Sequence, residues 1–169
     1  MEEIEIPTEH LHDAIHEKAE EAREKKIEKE WSMMVAISTA VMAVFAAISG
    51  LMAGDHVNEA MIQQIKASDQ WAYYQAKGIK AEIKDLKNDT SGVARYKAEQ
   101  KEISQKANEF TEESEVHLKK HVHLSRAVTL FQISIAISAI SILSQKRFLW
   151  FVALVLTIGG IVFFTMGLT

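Results

Sequence analysis

The sequence predicts an all-α membrane protein, with three transmembrane helices and a long extramembrane antiparallel coiled-coil hairpin between the first and the second. Three observations predict it. Residues 32–53, 127–144 and 148–168 are apolar runs that contain no charged residue, each close to the roughly 20 residues a helix needs to cross a bilayer core. Between the first two runs, selected positions recur in alternating steps of three and four, the spacing of coiled coils. A single strong turn signal, Asn88-Asp89-Thr90-Ser91-Gly92, interrupts that pattern midway.

The elements follow in order. Pro7 is the only proline, so beyond it no residue forces a helix to break. Thr8 suits an N-cap for a helix starting near Glu9. Residues 1–31 read as an acidic N-terminal helix, with eleven acids against five bases in residues 1–30 and a weak apolar stripe of Leu11, Ile15, Ala19 and Ala22. A cleavable signal peptide would open on bases and reach its apolar core sooner, so residues 32–54 read as a retained first span.

Residues 55–126 read as the hairpin. Its first track is Asn58, Ile62, Ile65, Asp69, Ala72, Ala76, Ile79, Ile83 and Leu86; its second is Val93, Tyr96, Gln100, Ile103, Ala107, Phe110, Ser114, His117, His121 and Leu124. Arms of about 33 residues reach roughly 50 Å at about 1.5 Å per residue. Residues 127–144 and 148–168 are the second and third spans, joined tightly through Gln145-Lys146-Arg147.

Charge and composition exclude several classes. Residues 55–126 hold twelve acids and twelve bases and no basic patch, which argues against nucleic acid as a partner. The chain has no cysteine, which removes disulfides and thiolate chemistry. No Asp, Glu, Lys, Arg or His lies inside a span, which argues against ion-coupled carriers and voltage sensors. No nucleophile elbow, P-loop or dinucleotide glycine pattern is present, so the chain reads as non-enzymatic. Lys18, Arg23, Lys25, Lys26, Lys29, Lys146 and Arg147 flank one side of the spans, against Lys66, Lys119, Lys120 and Arg126 on the other. This bias places the N-terminus in the cytoplasm.

Small residues repeat along the first span, ending in the GxxxG of Gly50 and Gly54; Ala153, Thr157, Gly160 and Gly167 share a face of the third. Such faces serve self-association or packing within one bundle. Ser134, Ser138 and Ser141 with Gln145 form a hydroxyl face on the second span, read as pore lining in an oligomer or as hydrogen bonding between and within helices. His117 and His121 stand one turn apart, and the predicted register sets them opposite Ile62 and Asn58, with Asp55 and Glu59 within reach. Two imidazoles and a carboxylate suit a divalent metal such as zinc; the alternative is a polar break in the seam. His12 and His16, with Glu9, Asp13 and Glu20, read as a solvated helix face or a second such cluster.

The run Ala67-Ser68-Asp69-Gln70-Trp71-Ala72-Tyr73-Tyr74-Gln75-Ala76-Lys77 carries a resemblance. It is similar to a motif of an uncharacterised bacterial membrane-protein family catalogued as a domain of unknown function. The layout agrees: an acidic N-terminal helix, a span opening with Trp31 and Val35-Ala36-Ile37-Ser38, a helical middle and two terminal spans. The resemblance implies a bacterial inner membrane and transfers no activity. Trp71, Tyr74 and Lys77 are expected off the seam as a contact surface. The expected function is an oligomerising scaffold or accessory subunit whose partners are the bilayer, further copies of itself and another membrane complex. The alternatives are a passive channel lined by the serines and a divalent-metal-binding protein.

Overall fold

A computed structural model describes residues 8–169, with side chains from residue 16 onward. The described residues form three α-helices: α1 (Thr8–Leu86), α2 (Thr90–Ser144) and α3 (Arg147–Leu168). All three are long and apolar enough to cross a membrane by length and composition. α1 is one helix of 79 residues, about 120 Å at about 1.5 Å per residue. It passes from the acidic segment through the first apolar run into the arm (residues 55–126) without interruption.

The turn is shorter than its sequence signal. Only residues 87–89 lie outside helix; Thr90, Ser91 and Gly92 already belong to α2. Asn88 adopts a left-handed φ of 55°, which asparagine tolerates better than most residues. Asp89 then caps α2. Its Oδ1 accepts from the Gly92 N–H at 3.0 Å and from Ser91 Oγ at 2.9 Å, and its Oδ2 accepts from Lys84 Nζ at 2.8 Å. The Lys84 ammonium first, then the Gly92 N–H and Ser91, hold the Asp89 carboxyl far below the usual carboxylate range. A depressed carboxyl pKa contributes stability above its unfolded value that fades on strong acidification.

α2 runs back along α1 in one register. His121 Nδ1 lies 2.8 Å from the Ala53 carbonyl. Ser114 Oγ donates to the Ala60 carbonyl at 2.9 Å, and Gln100 Nε2 donates to the Tyr74 carbonyl at 3.1 Å. Side chains reach opposing backbone because α1 presents small residues there: Ala53, Ala60, Ala67 and Ala81 are buried, with Gln63 among them. The second predicted track lies on this seam, with Ile103, Ala107, Ser114 and Leu124 buried. The first does not. Ile62, Ile65, Ile79, Ile83 and Leu86 are 46%, 59%, 59%, 47% and 85% exposed. Both sets in α1 follow a seven-residue period, and the alanines win because they let the backbones come close enough for those hydrogen bonds.

α3 packs along α2 and touches α1 at few points. The second link is only Gln145 and Lys146; Gln145 takes a left-handed φ of 55° and Ser141 Oγ bonds the Lys146 carbonyl at 2.9 Å. Phe45, Phe131 and Phe164 bring the three helices together, with ring centroids 5.8 Å apart in both Phe45 pairs. Trp150 Nε1 donates to Ser38 Oγ at 3.1 Å. The small face of α3 serves this packing: a Cβ on Gly160 would meet the Phe131 ring at 2.8 Å, and one on Gly167 would meet Leu124 at 2.6 Å. The small face of the first apolar run is left open. Ala36, Ala40, Ala43, Ala47 and Gly50 are exposed, and nothing lies within 4 Å of a Cβ placed on Gly54.

Substitution separates these two faces. Gly160→Leu is expected to lower unfolding stability by about 1–3 kcal/mol through overpacking against Phe131, measured by circular dichroism during denaturation in mild detergent. Gly54→Ala is expected to leave that stability within error.

Candidate functional site

Three histidines, His56, His117 and His121, come to the seam where the arm joins the first and second apolar runs. The observed register sets His117 beside His56 and not beside Ile62. The two Nδ1 atoms are 3.0 Å apart, so one ring donates and the other accepts. One turn on, His121 must carry its proton on Nδ1 to bond the Ala53 carbonyl, which leaves Nε2 to accept from Ser125 Oγ at 3.4 Å. His123 stacks on Phe163 with centroids 6.2 Å apart, and its Nδ1 has no hydrogen-bond partner.

This geometry corrects the metal reading. Asp55 is exposed, and Glu59 Oε1 accepts from Gln63 Nε2 at 2.9 Å within α1. His117 and His121 are each engaged across the seam, and the four candidates do not converge. Among the described residues no three or more His, Cys, Asp or Glu side chains group so as to hold a metal ion. The physical reason is the tight turn, which slides α2 along α1 and substitutes His56 for the expected carboxylates. Of the N-terminal group, the side chains of Glu9, His12 and Asp13 lie outside the described ones, while His16 and Glu20 are exposed.

His56 is held below its ordinary value of 6.5, by burial first and then by His117, Lys120 and His121, with Asp55 opposing. The pair therefore favours the neutral His56 ring near neutral pH.

The serine face is buried. Ser134, Ser138 and Ser141 are all 0% exposed. Ser134 Oγ donates to the Leu130 carbonyl at 2.8 Å, Ser141 Oγ donates to the Lys146 carbonyl, and Ser138 has no partner among the described residues. They lie inside the three-helix packing, so lining a pore would require those helices to part.

The aromatic motif divides. Trp71 is 39% exposed and meets Tyr74 edge to face at 5.6 Å. Tyr74 and Lys77 turn towards α2, contrary to the expectation that they lie off the seam. Lys77 pairs with Glu99 and lies 5.0 Å and 5.4 Å from the Tyr73 and Tyr96 ring centroids. The Glu99 and Tyr73 hydrogen bonds raise the Lys77 pKa, and Lys77 in turn lowers that of Glu99. Trp71 and Tyr73 are the aromatics of the motif that remain exposed. Sequence reasoning missed the His56–His117 contact, although the repeat of alanine at positions 53, 60, 67 and 81 was a signal for the true seam.

The histidine pair yields a pH dependence. A histidine whose folded pKa is lowered contributes stability that is present above 6.5 and lost as the pH falls through that value towards the folded one. The chain is expected to melt at a lower temperature at pH 5.5 than at pH 7.5, and His56→Gln is expected to flatten that difference. Melts followed by circular dichroism at both pH values check it; an unchanged slope in the variant would refute the role of His56.

Comparison with characterised proteins finds no match, and neither does comparison with solved structures. One family model matches, over residues 31–93 and 83–169, its description being a domain of unknown function. These segments cover most of the chain, including the aromatic motif, the histidine contacts and both terminal apolar helices. The protein therefore belongs to the DUF4337 family, a domain of unknown function.

Proposed function

We propose that this protein is a non-enzymatic, three-span membrane scaffold that assembles with copies of itself through the outer face of α1. The arm is read as an antiparallel coiled coil projecting from a bacterial inner membrane, with the N-terminus cytoplasmic. One observation carries the reading. The exposed track in the arm continues without a phase break through the first span, as Met34, Ile37, Val41, Val44, Ile48 and Leu51, then Asp55, Asn58, Ile62 and onward to Leu86. Every position on it is exposed. Lipid accounts for the exposure of the first six; water does not account for the isoleucines beyond them.

A second α1 fits this face. Unbroken three-four spacing is the pattern that a partner helix reads. Asp55, Asn58 and Asp69 are the polar interruptions that set register. In the span the track is flanked by Ala40, Ala47 and Gly54, which permit close approach in lipid. Trp71 and Tyr73 lie along its rim in the arm.

Magnitudes decide where the assembly energy comes from. Covering the remaining exposure of Ile62, Ile65, Ile79, Ile83 and Leu86 contributes on the order of 1 kcal/mol each per copy. That is comparable with the roughly 4–15 kcal/mol that association costs in lost motion. The arm alone is therefore marginal, and confinement of parallel copies in one bilayer tips the balance.

Replacing Ile65 and Ile79 together by Asp is expected to shift the full chain in mild detergent from oligomer to monomer, with helix content unchanged. Light scattering coupled to size exclusion reads the outcome. A monomeric wild type, or an unchanged oligomer in the double variant, sinks the reading.

A further inference from the structure

At the end of the spans remote from the arm, a cleft of about 410 Å³ opens between α1 and the link from α2 to α3. Lys25, Lys29, Trp31 and Ser32 line it from one side, and Gln145 and Arg147 from the other. Residues more than a hundred positions apart thus converge on one space. We infer that this cleft binds the phosphate of an anionic phospholipid headgroup.

Charge is the first support. Lys25, Lys29 and Arg147 supply three cations against the one carboxylate of the lining, Glu28, for a net of +2. Lys25 also contacts Glu21 at 3.5 Å, with both side chains well exposed; such a pair is weak and leaves the ammonium free to turn.

Trp31 is the second. It is only 6% exposed, and its indole N–H has no acceptor among the described residues. An indole nitrogen can only donate, and a buried donor without an acceptor is unfavourable. The Arg147 guanidinium lies 5.8 Å from the Trp31 ring centroid, so a cation stands beside the indole.

The α3 N-terminus is the third. Lys146 makes no side-chain capping bond, and the first turn holds no acidic residue. The opening N–H groups of this helix of 22 residues, with its positive dipole end, have no side-chain anion of their own beside them. An anion brought to Arg147 would answer these N–H groups, the cations and the indole donor together.

The lipid source follows from position and rests on the three-span reading. The cleft then lies at the headgroup level of the cytoplasmic leaflet, the leaflet that carries anionic lipid. Ile142 also lines it, a wall that suits glycerol and upper acyl carbons. Free phosphate shares the charge but makes no use of that wall.

The test uses the full chain in mild detergent, followed by native mass spectrometry after adding phosphatidylglycerol, phosphatidylcholine or inorganic phosphate. Phosphatidylglycerol is expected to be retained at least fivefold more than phosphatidylcholine and to resist displacement by millimolar phosphate. Lys25→Gln, Lys29→Gln and Arg147→Gln combined are expected to abolish the preference, with helix content and oligomeric state unchanged. Trp31→Phe keeps the ring under Arg147 but removes the donor, and is expected to lower retention severalfold. Equal retention of the two lipids, or an undiminished preference in the triple variant, overturns the proposal. Binding of inorganic phosphate with no lipid preference overturns the lipid as occupant. Release of the chain from membranes by alkaline carbonate marks failure of the span reading itself, separately from the lipid result.

Discussion

The close approach of α1 to α2 is the constraint on which the rest of the structure depends. It exists because α1 presents alanine at positions 53, 60, 67 and 81. Side chains of α2 then reach the α1 backbone itself, as Ser114 does at Ala60 and His121 at Ala53. A seam of isoleucines would hold the helices further apart and leave those side chains without partners. The hydrogen bonds in turn fix one register, and the register decides everything placed along it: His56 against His117, Lys77 against Glu99, and Ser134 and Ser138 against the packed interior.

The same constraint divides labour between the two faces of α1. In the arm the inner face is built mainly of alanine and is covered within one chain. The outer face carries large aliphatic side chains in the arm, and no described residue covers it. A helix with a complete second track on its outer side has capacity for another helix. In the proposed assembly, the half of that face along residues 32–54 need not be sticky in itself, since lipid would satisfy it; it needs only to be smooth enough to follow where the arm leads.

Much of this was legible in the residues. The three apolar runs, the α2 track through Ile103, Ala107, Ser114 and Leu124, and the turn region were all readable, because charge-free length and three-four spacing are strong signals. The α1 seam was misread for a definite reason. Two tracks of the same period run along α1, and hydropathy ranks the isoleucine track above the alanine track, whereas the choice depends on backbone separation, which no single strand of sequence displays. The register was misjudged because it hangs on how few residues the turn uses, and Asn88 with its left-handed backbone shortens it to three. That error carried the histidines to the wrong neighbours. The contact of Trp31 with Arg147 joins two segments far apart in the chain and had no local signature at all.

The uninterrupted course of α1 has a mechanical meaning. A helix that enters a bilayer and leaves it without a hinge behaves as a lever, and its inclination in the lipid is its inclination in the water. Bilayers of different thickness select different tilts. With about 32 residues beyond the span, a change of about 10° moves the tip sideways by about 8 Å, taking about 1.5 Å of rise per residue. If α1 spans as proposed, the far end of the arm amplifies a small adjustment among the acyl chains into a displacement as large as the spacing between packed helices, and in the proposed assembly the distance between neighbouring tips becomes a gauge of the membrane.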